Sequence, residues 1–464
     1  MRPIEIILVL SFLAFLWFGN NYRTKLGFLP ILVTAAQFLF EGYRWQMIPL
    51  YVLAAALGVV PAVATLRRQA PPAGRRRLAP AIGGTLLVLL AAAVPYLLPI
   101  PRPFPPTGPY PIGTRTLHLV DDARTDPYAP EPNGSREILV QLWYPAVPVG
   151  RTQRAPWMPG ADVIAPAVSE WLRLPGFFLD HLIYARTDSY LDMPVEQNDA
   201  GWPVILFSHG YGGFRAQNTF QVQELASRGY VVAAIEHTYA SVMTVFPDGR
   251  VAAHNPDTLP DDVSDAEYVT AAGRLLVQWS SDLHFTLATF DSMNADPDSW
   301  LSGSLDLSKL GVMGHSTGGG AAIQFCSEEV RCMAGLAMDP WLLPVRDEVL
   351  ETGLDRPLLV MFSETWSSDL NTARFRTLAD GFPGKLSVFT ITGSAHYDFS
   401  DLPQISPLSP YLGVKGPIDG DTLFAIVNAY SVDFFEMVLR GRAPELAYSG
   451  SSQYPEISFR MPGR

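Results

Sequence analysis

A serine between two glycines, at the end of an apolar run, is the feature of this sequence that most constrains its fold. Lys309–Met313 is typical of a short strand, residues 314–318 (GHSTG) follow it, and residues 319–322 (GGAA) continue with small side chains. This G-x-S-x-G pattern marks a strand that turns sharply into a helix and presents the serine at the turn. The glycines allow the strand and the helix to approach closely. The pattern therefore predicts a strand–turn–helix unit with Ser316 as a candidate nucleophile.

The 464-residue chain divides into two parts of opposite charge. Residues 1–111 carry ten Lys and Arg against two Glu, a net charge of +8, whereas the remainder carries 23 basic and 43 acidic residues, a net charge of −20. A domain this acidic lacks the clustered positive charge that nucleic acid binding needs, so nucleic acid is excluded as a partner. The length also exceeds that of most single domains, which predicts at least two.

Four charge-free segments occupy the first hundred residues. Met47–Leu66 has twenty residues and Ile82–Ile100 has nineteen, which is long enough to cross a bilayer core. Ile6–Gly19 and Leu26–Phe40 have fourteen and fifteen, which suits either shorter helices packed on the others or an interfacial hairpin. We therefore expect a helical transmembrane region over residues 1–100, with two spans and up to four.

The basic residues between these segments predict the orientation. Residues 66–77 hold five arginines and no acid, so the positive-inside rule puts this loop in the cytoplasm, with Arg23 and Lys25 on the same side if all four segments span. Seven prolines in residues 99–111 predict a stiff extended spacer, which we take as a linker over 101–111. Residues 112–464 then form an extracytoplasmic domain on a multi-pass membrane anchor.

From residue 112 onward, apolar strand-like runs alternate with helical patterns, which predicts an α/β domain with a mostly parallel sheet covered by helices on both faces. The predicted strands are Glu137–Tyr144, Val204–Ser208, Val231–Glu236, Leu310–Gly314, Ala334–Asp339, Leu358–Ser363 and Leu386–Thr392. The predicted helices are Phe220–Arg228, Asp265–Ser292, Gly320–Glu328, Asp369–Ala379 and Asp421–Leu439.

Chemistry in open α/β sheets lies at the carboxyl ends of the strands. After Val204–Ser208 comes HGYGGF (209–214), a glycine loop of the kind that directs backbone N–H groups at an oxyanion. We expect the donors to be the backbone N–H groups of Tyr211 and Thr317, and His209 to be structural rather than a base.

Two further strand ends supply a candidate acid and base. His396, in a glycine-containing turn after the last predicted strand, is the only histidine that follows Ser316. A nucleophile–acid–histidine order is that of the α/β-hydrolase fold, in which the histidine deprotonates the serine. Position alone leaves the acid open between Asp339 and the next strand end, which offers Glu364 or Asp369.

Five motifs in order give the chain a resemblance to the plasma-type (isoform II) platelet-activating factor acetylhydrolases, over roughly residues 110–440. They are FSHGYGGFR at 207–215, VVAAIEH at 231–237, GHSTGG at 314–319, GLAMDPWLLP at 335–344 and GSAHYDFSD at 393–401. The resemblance implies an α/β-hydrolase fold and hydrolysis of short or oxidised acyl chains from phospholipids, without calcium or another cofactor.

Matched motif by motif, the resemblance implies Ser316 as nucleophile, Asp339 as acid and His396 as base, with Tyr211 and Thr317 as oxyanion donors. The chain also departs from the family. The multi-pass N-terminal region is foreign to its secreted form, and Thr317 replaces a bulkier aromatic residue.

The two cysteines, Cys326 and Cys332, lie at the end of the helix predicted after Ser316 and just beyond it. Their spacing, without histidine partners, is not that of a zinc site. They could form a small disulfide in an oxidising compartment or remain buried thiols.

An aromatic stretch over residues 157–184 separates the first predicted strand from the glycine loop. In the family it resembles, this region covers the pocket and touches lipid, and the alternative is a surface excursion packed on the sheet. The leading hypothesis is a membrane-anchored serine esterase acting on amphiphilic or phospholipid-like esters. The alternatives are a general carboxylesterase of dienelactone-hydrolase or polyester-hydrolase type, and a catalytically inactive membrane binding protein.

Overall fold

Contacts within the chain divide it into two compact units. The computed structural model describes residues 1–18, 26–66, 78–130, 134–150, 152–366, 368–448 and 452–459. The first unit is Met1–Pro101 with Ile405–Leu408, and the second is Arg102–Gln404 with Ser409–Arg464. The division at residue 101 lies next to the expected end of the N-terminal region, although four residues of the C-terminal half group with that region.

The described part of the first unit is helical. Its helices are α1 (Pro3–Phe18), α2 (Leu29–Phe40), α3 (Ile48–Leu66) and α4 (Leu78–Leu97), with a 3₁₀ turn at Trp45–Met47. Leu8, Phe12 and Val88 belong to its apolar core. A buried ion pair, Arg44 Nη1 to Glu5 Oε1 at 3.3 Å, joins α1 to the segment before α3.

Two helices of the described residues are long and apolar enough to cross a membrane, Leu78–Leu97 and Gly420–Arg440. The second is largely buried in the α/β unit, so it is a core helix of that unit. The first overlaps the predicted span Ile82–Ile100. The basic residues behind the predicted orientation (Arg23, Lys25 and residues 67–77) lie outside the described residues. Orientation and number of spans therefore stay predictions.

The proline-rich segment, predicted as a stiff extended spacer, belongs to the second unit from Arg102 onward and is hydrogen-bonded to it. Thr107 N donates to Glu224 Oε2 at 2.6 Å, and Gly108 N donates to Ser227 Oγ at 3.0 Å. Prolines prevent a helix here, but the backbone donors between them still find acceptors on a neighbouring helix.

A sheet of eleven strands forms the centre of the second unit. Its strands are β1 (Ile112–Thr125), β2 (Ser135–Pro145), β3 (Arg154–Pro156), β4 (Arg186–Leu191), β5 (Trp202–Ser208), β6 (Val231–Glu236), β9 (Leu305–His315), β10 (Cys332–Met338), β11 (Leu358–Ser363), β12 (Leu386–Ile391) and β13 (Ile457–Ser458); β7 (Met243–Val245) and β8 (Val251–Ala253) form a separate hairpin. The strand order is β13-β12-β11-β10-β9-β5-β6-β2-β1-β4-β3. The six strands from β12 to β6 are parallel.

Helices cover both faces of this sheet, as the sequence predicts. The described helices of the second unit are α5 (Ala161–Trp171), α6 (Thr219–Ser227), α7 (Asp265–Ala295), α8 (Thr317–Glu328), α9 (Asp347–Thr352), α10 (Asp369–Asp380) and α11 (Gly420–Arg440). Alternate residues of β5 face opposite cores. Leu206 belongs to the apolar core that includes residues of α7 to α10, whereas Phe207 belongs to the core that includes residues of α6 and α11. An apolar residue at every position is what a strand buried on both faces requires.

The sequence prediction misses the outer strands of the sheet. β1 is half-buried over residues 115–119 and mixes polar with apolar residues, and β3, β4 and β13 are short and partly exposed. Edge strands gain less from burial, so their sequences carry a weaker apolar signal than those of central strands.

Cys326 and Cys332 form a disulfide, which resolves the alternative left open by the sequence. The bond joins the end of α8 to the start of β10, and both sulfurs are buried. It therefore ties the helix that follows Ser316 to the strand that leads to Asp339.

We expect loss of this disulfide to lower the free energy of unfolding by about 2 kcal/mol, because the closed loop is short. The variant is Cys326→Ala with Cys332→Ala in the full chain, measured by thermal melting with and without reductant. Reductant should lower the melting temperature of the wild type and leave that of the variant unchanged. A wild type that reacts with a thiol reagent after non-reducing denaturation would contradict the assignment.

Candidate active site

Ser316 lies at a strained turn between β9 and α8. Its backbone angles are φ 56° and ψ −120°, a conformation that non-glycine residues rarely adopt. A Cβ atom on Gly314 would lie 2.1 Å from the Gly318 carbonyl oxygen, and one on Gly318 would lie 2.1 Å from the Ser208 carbonyl oxygen. Only glycine fits at either position. Ser316 is partly exposed whereas His315 and Thr317 are buried, so the turn presents the serine alone.

The structure brings Asp339 and His396 together. His396 begins the 3₁₀ turn after β12, and its Nδ1 lies 3.1 Å from Oδ2 of Asp339, the residue that follows β10. Burial lowers the pKa of His396 to about 3, so the imidazole is neutral at neutral pH. Among the described residues, its Nε2 has no hydrogen-bond partner, which leaves that nitrogen able to accept a proton.

Asp339 is fully buried, and burial raises the pKa of its carboxyl well above the ordinary value. Ser363 opposes this shift with two hydrogen bonds. Its backbone N–H donates to Oδ1 at 2.7 Å and its hydroxyl donates to Oδ2 at 2.6 Å. Donors that favour the charged form offset part of the desolvation cost of a buried carboxylate.

The rival acids lie elsewhere. Glu364 is exposed and accepts a hydrogen bond from Gly393 N at 2.6 Å, and Asp369 is exposed in the first turn of α10. The geometry therefore brings Asp339 to the histidine, as the family resemblance implies, and neither alternative.

Sequence reasoning missed Trp366, which stacks on the imidazole of His396 with ring centroids 3.8 Å apart and planes 19° from parallel. Trp366 N also donates to Ser363 Oγ at 3.2 Å. The segment 363–366 thus contacts both Asp339 and His396. The segment lies at the carboxyl end of a parallel strand, where site residues are expected. The sequence prediction considered only the carboxylates there, Glu364 and Asp369.

The glycine loop lies beside the serine. A Cβ on Gly210 would lie 3.3 Å from the Cβ of Ser316. Gln217 links the two segments, because its Oε1 accepts from Gly210 N at 3.2 Å and its Nε2 lies 3.0 Å from Nδ1 of His315. Within the described part of the chain, the backbone N–H groups of Tyr211 and Thr317 have no acceptor. Thr317 also begins α8, whose N-terminus favours negative charge.

His209 has the structural environment expected from the sequence. Its Nδ1 donates to the Gly210 carbonyl at 2.7 Å, and its Nε2 accepts from His237 N at 3.2 Å. Burial lowers its pKa to about 3. With both ring nitrogens engaged, His209 is not available as a base.

The aromatic stretch is partly buried and partly exposed. Trp157 is buried and donates from Nε1 to Asp401 Oδ2 at 2.8 Å. Trp171 is exposed by 44% and contacts the glycine loop, since a Cβ on Gly212 would lie 2.4 Å from its ring. Its ring centroid lies 6.4 Å from that of Tyr211. Phe177 and Ile183, in the same stretch, are exposed by 53% and 38%.

Among the described residues, no group of three or more His, Cys, Asp or Glu side chains is placed to hold a metal ion. A partly exposed serine, a carboxylate-bound histidine and two unpaired backbone N–H groups can instead support acyl transfer through a serine ester.

The chain is similar to known ester hydrolases. Residues 104–265 and 291–442 match the family model for platelet-activating factor acetylhydrolase, isoform II. A platelet-activating factor acetylhydrolase of Gallus gallus is 27% identical over 364 residues, which cover 71% of this chain and 82% of that protein. A probable 1-alkyl-2-acetylglycerophosphocholine esterase of Arthroderma benhamiae is 25% identical over 433 residues, which cover 82% of this chain and 99% of that protein.

Among solved structures, a ferulic acid esterase from Streptomyces cinnamoneus superposes with a TM-score of 0.65 at 28% identity. The match covers 78% of this chain and 99% of that one. The fold of the second unit is therefore that of an esterase of the α/β-hydrolase type.

The stacking of Trp366 on His396 makes a test of base positioning. We expect Trp366→Ala to slow covalent labelling of Ser316 by a fluorophosphonate by roughly tenfold or more, because a displaced base loses its alignment with the serine. Trp366→Phe keeps a ring over the imidazole and should retain most of the rate. Labelling of Trp366→Ala at the wild-type rate, with an unchanged melting temperature, would show that the stack does not position the base.

Proposed function

Because the chain belongs to the platelet-activating factor acetylhydrolase family, isoform II, and is a carboxylic ester hydrolase, we propose that Ser316, Asp339 and His396 form its catalytic triad. The observation that carries the proposal is the 3.1 Å contact between His396 Nδ1 and Asp339 Oδ2. Ser316 lies at a strained turn next to His315, whose ring centroid is 4.5 Å from that of His396. The proposal assigns each group one role in a two-step reaction through an acyl-enzyme.

In the first step, His396 Nε2 takes the hydroxyl proton of Ser316 as its oxygen attacks the ester carbonyl. The N–H groups of Tyr211 and Thr317 stabilise the oxyanion. Asp339 holds the imidazole by Nδ1 and stabilises the imidazolium, which then protonates the leaving alcohol. In the second step, His396 activates a water molecule that hydrolyses the acyl-serine ester.

For the substrate, we propose an amphiphilic ester with a short or oxidised acyl chain, such as the 2-acetyl group of a glycerophospholipid. The names of the relatives from Gallus gallus and Arthroderma benhamiae support this class. So does Trp171, an exposed apolar side chain against the glycine loop that offers a contact for the hydrocarbon part of such a substrate.

We further propose that the N-terminal helices anchor the enzyme in a membrane, with the α/β unit outside the cytoplasm. The apolar helix Leu78–Leu97 supports anchoring. The Cys326–Cys332 disulfide supports an oxidising compartment, because such bonds are rare in the cytoplasm.

A specific observation favours a second candidate substrate. The structural match to the ferulic acid esterase covers 99% of that chain. A small aromatic or other non-lipid ester is therefore the alternative substrate. The two candidates share the chemistry at Ser316 and differ in the part of the ester that the aromatic stretch over residues 157–184 must accept.

The choice of acid is tested by matched Asp→Asn substitutions. We expect Asp339→Asn to lower kcat for p-nitrophenyl acetate by about 10⁴-fold, because an asparagine favours the wrong imidazole tautomer. Asp369→Asn makes the same chemical change at an exposed site and should leave kcat within about twofold, in the range usual for surface substitutions. If Asp369→Asn or Glu364→Gln instead caused the larger loss, the acid assignment would be wrong.

Acyl-chain profiling separates the two substrate classes. With the full chain and a Ser316→Ala blank, kcat/KM should be highest for acetyl esters of glycerophosphocholine and p-nitrophenol and should fall with acyl length. A lower kcat/KM for the acetyl phospholipid than for methyl ferulate would favour the non-lipid alternative. Equal and measurable rates for wild type and Ser316→Ala would refute the serine mechanism.

A further inference from the structure

A second serine–histidine–aspartate series lies behind the glycine loop. Ser208 Oγ is 2.9 Å from His237 Nε2, and His237 Nδ1 is 2.8 Å from Asp282 Oδ2. Ser208 ends β5, His237 follows β6, and Asp282 lies in α7. The atoms connect in the same order as in a catalytic triad, and the proposed mechanism uses none of them. We call these three residues the buried relay.

The buried relay is not a second active site. All three side chains have no exposed surface. Trp279 also stacks on the imidazole of His237, with centroids 4.0 Å apart and planes 9° from parallel. No ester can reach a serine in this position, so its hydroxyl serves as a hydrogen-bond donor and not as a nucleophile.

An ion pair fixes the far end of the relay. Arg136 binds Asp282 through two hydrogen bonds, Nε to Oδ1 at 3.1 Å and Nη2 to Oδ2 at 2.7 Å, and its Nη1 donates to the Thr238 carbonyl at 2.9 Å. Although burial opposes it, Arg136 and His237 lower the pKa of Asp282. Burial lowers the pKa of His237, so its neutral ring donates to Asp282 and accepts the Ser208 hydroxyl.

His237 connects the buried relay to the glycine loop through two hydrogen bonds. His237 accepts from the side chain of Ser208, and its backbone N–H donates to Nε2 of His209 at 3.2 Å. His209 in turn holds the Gly210 carbonyl. These hydrogen bonds therefore hold residues 208–210, which directly precede Tyr211. The Ser208 carbonyl also lies against Gly318 in the first turn of α8, beside the second oxyanion donor.

We propose that Ser208, His237 and Asp282 are positioning residues that hold the Tyr211 backbone N–H in register with Ser316 for the oxyanion. The inference rests on the proposed serine-esterase function. A donor stabilises a transition state only when its geometry is fixed in advance, and a fully satisfied buried network supplies such rigidity. The substrate makes no contact with the relay, so its effect is expected on the oxyanion and not on substrate binding.

The test compares two serine-to-alanine variants of the full chain. Ser208→Ala breaks the relay, whereas Ser431→Ala removes an equally buried hydroxyl that bonds Gln221 Nε2 at 2.9 Å in the packing of α6 against α11. We expect Ser208→Ala to lower kcat for p-nitrophenyl acetate about tenfold with KM changed less than twofold. Ser431→Ala should leave both constants unchanged.

A trifluoromethyl ketone gives the readout that a change in stability alone would not move. Addition of the Ser316 oxygen to the ketone carbon, with proton transfer to His396, forms a charged tetrahedral adduct in the oxyanion site. The inhibition constant should rise in Ser208→Ala by the same factor as kcat/KM falls, because both report transition-state stabilisation. It should not change in Ser431→Ala.

His237→Asn supplies an independent arm, because asparagine can still donate to Asp282 but is too short to reach Ser208. It should show the same defect as Ser208→Ala, and the double variant should show no further loss, as expected for residues that act through one connection. If His237→Asn does not fold, the Ser208→Ala comparison decides alone.

The outcomes separate this inference from the proposed function. If wild type is active and ketone-sensitive but Ser208→Ala matches Ser431→Ala in kcat and inhibition constant, the relay only stabilises the fold and the inference is wrong. If wild type neither hydrolyses the ester nor binds the ketone, the proposed function itself fails.

Discussion

The positive backbone angle at Ser316 is the constraint on which the architecture of the site depends, because such strain costs of the order of 1–3 kcal/mol and persists only when neighbours hold it. Ser316 N donates to the Met338 carbonyl at 2.9 Å, and the Ser316 carbonyl accepts from Trp341 N at 2.9 Å. Those two bonds bind the turn to the end of β10, where Asp339 follows. The hydrogen bonds that hold the strained turn at Ser316 therefore also place Asp339 next to this turn.

The end of β11 contacts both Asp339 and His396. Ser363, the last residue of β11, donates twice to Asp339. Trp366, three residues later, stacks on His396. One strand end thus holds the proposed acid through hydrogen bonds and the proposed base through a ring contact. In a similar way, the buried relay lies behind the loop that carries Tyr211, the proposed oxyanion donor.

The sequence predicts the parallel core well, and the bounds of Val231–Glu236 and Leu358–Ser363 agree with the structure because strands buried on both faces are continuous apolar runs. It predicts β1 poorly, since a half-exposed strand carries polar residues. Ser316, His396 and the glycine loop follow from local motifs. The link from Ser208 through His237 to Asp282 does not follow from such motifs, because it joins separate elements through tertiary packing alone.

Ester turnover by this enzyme should pass through an acyl group on Ser316. Rapid acid quenching of the full chain during p-nitrophenyl acetate turnover, followed by proteolysis and peptide mass spectrometry, detects such a group. We expect one acetyl group, on the peptide that contains Ser316, formed with a burst of p-nitrophenol. Acetylation of a residue other than Ser316 would contradict the proposed mechanism. A burst of p-nitrophenol without any acetylated peptide would contradict it as well.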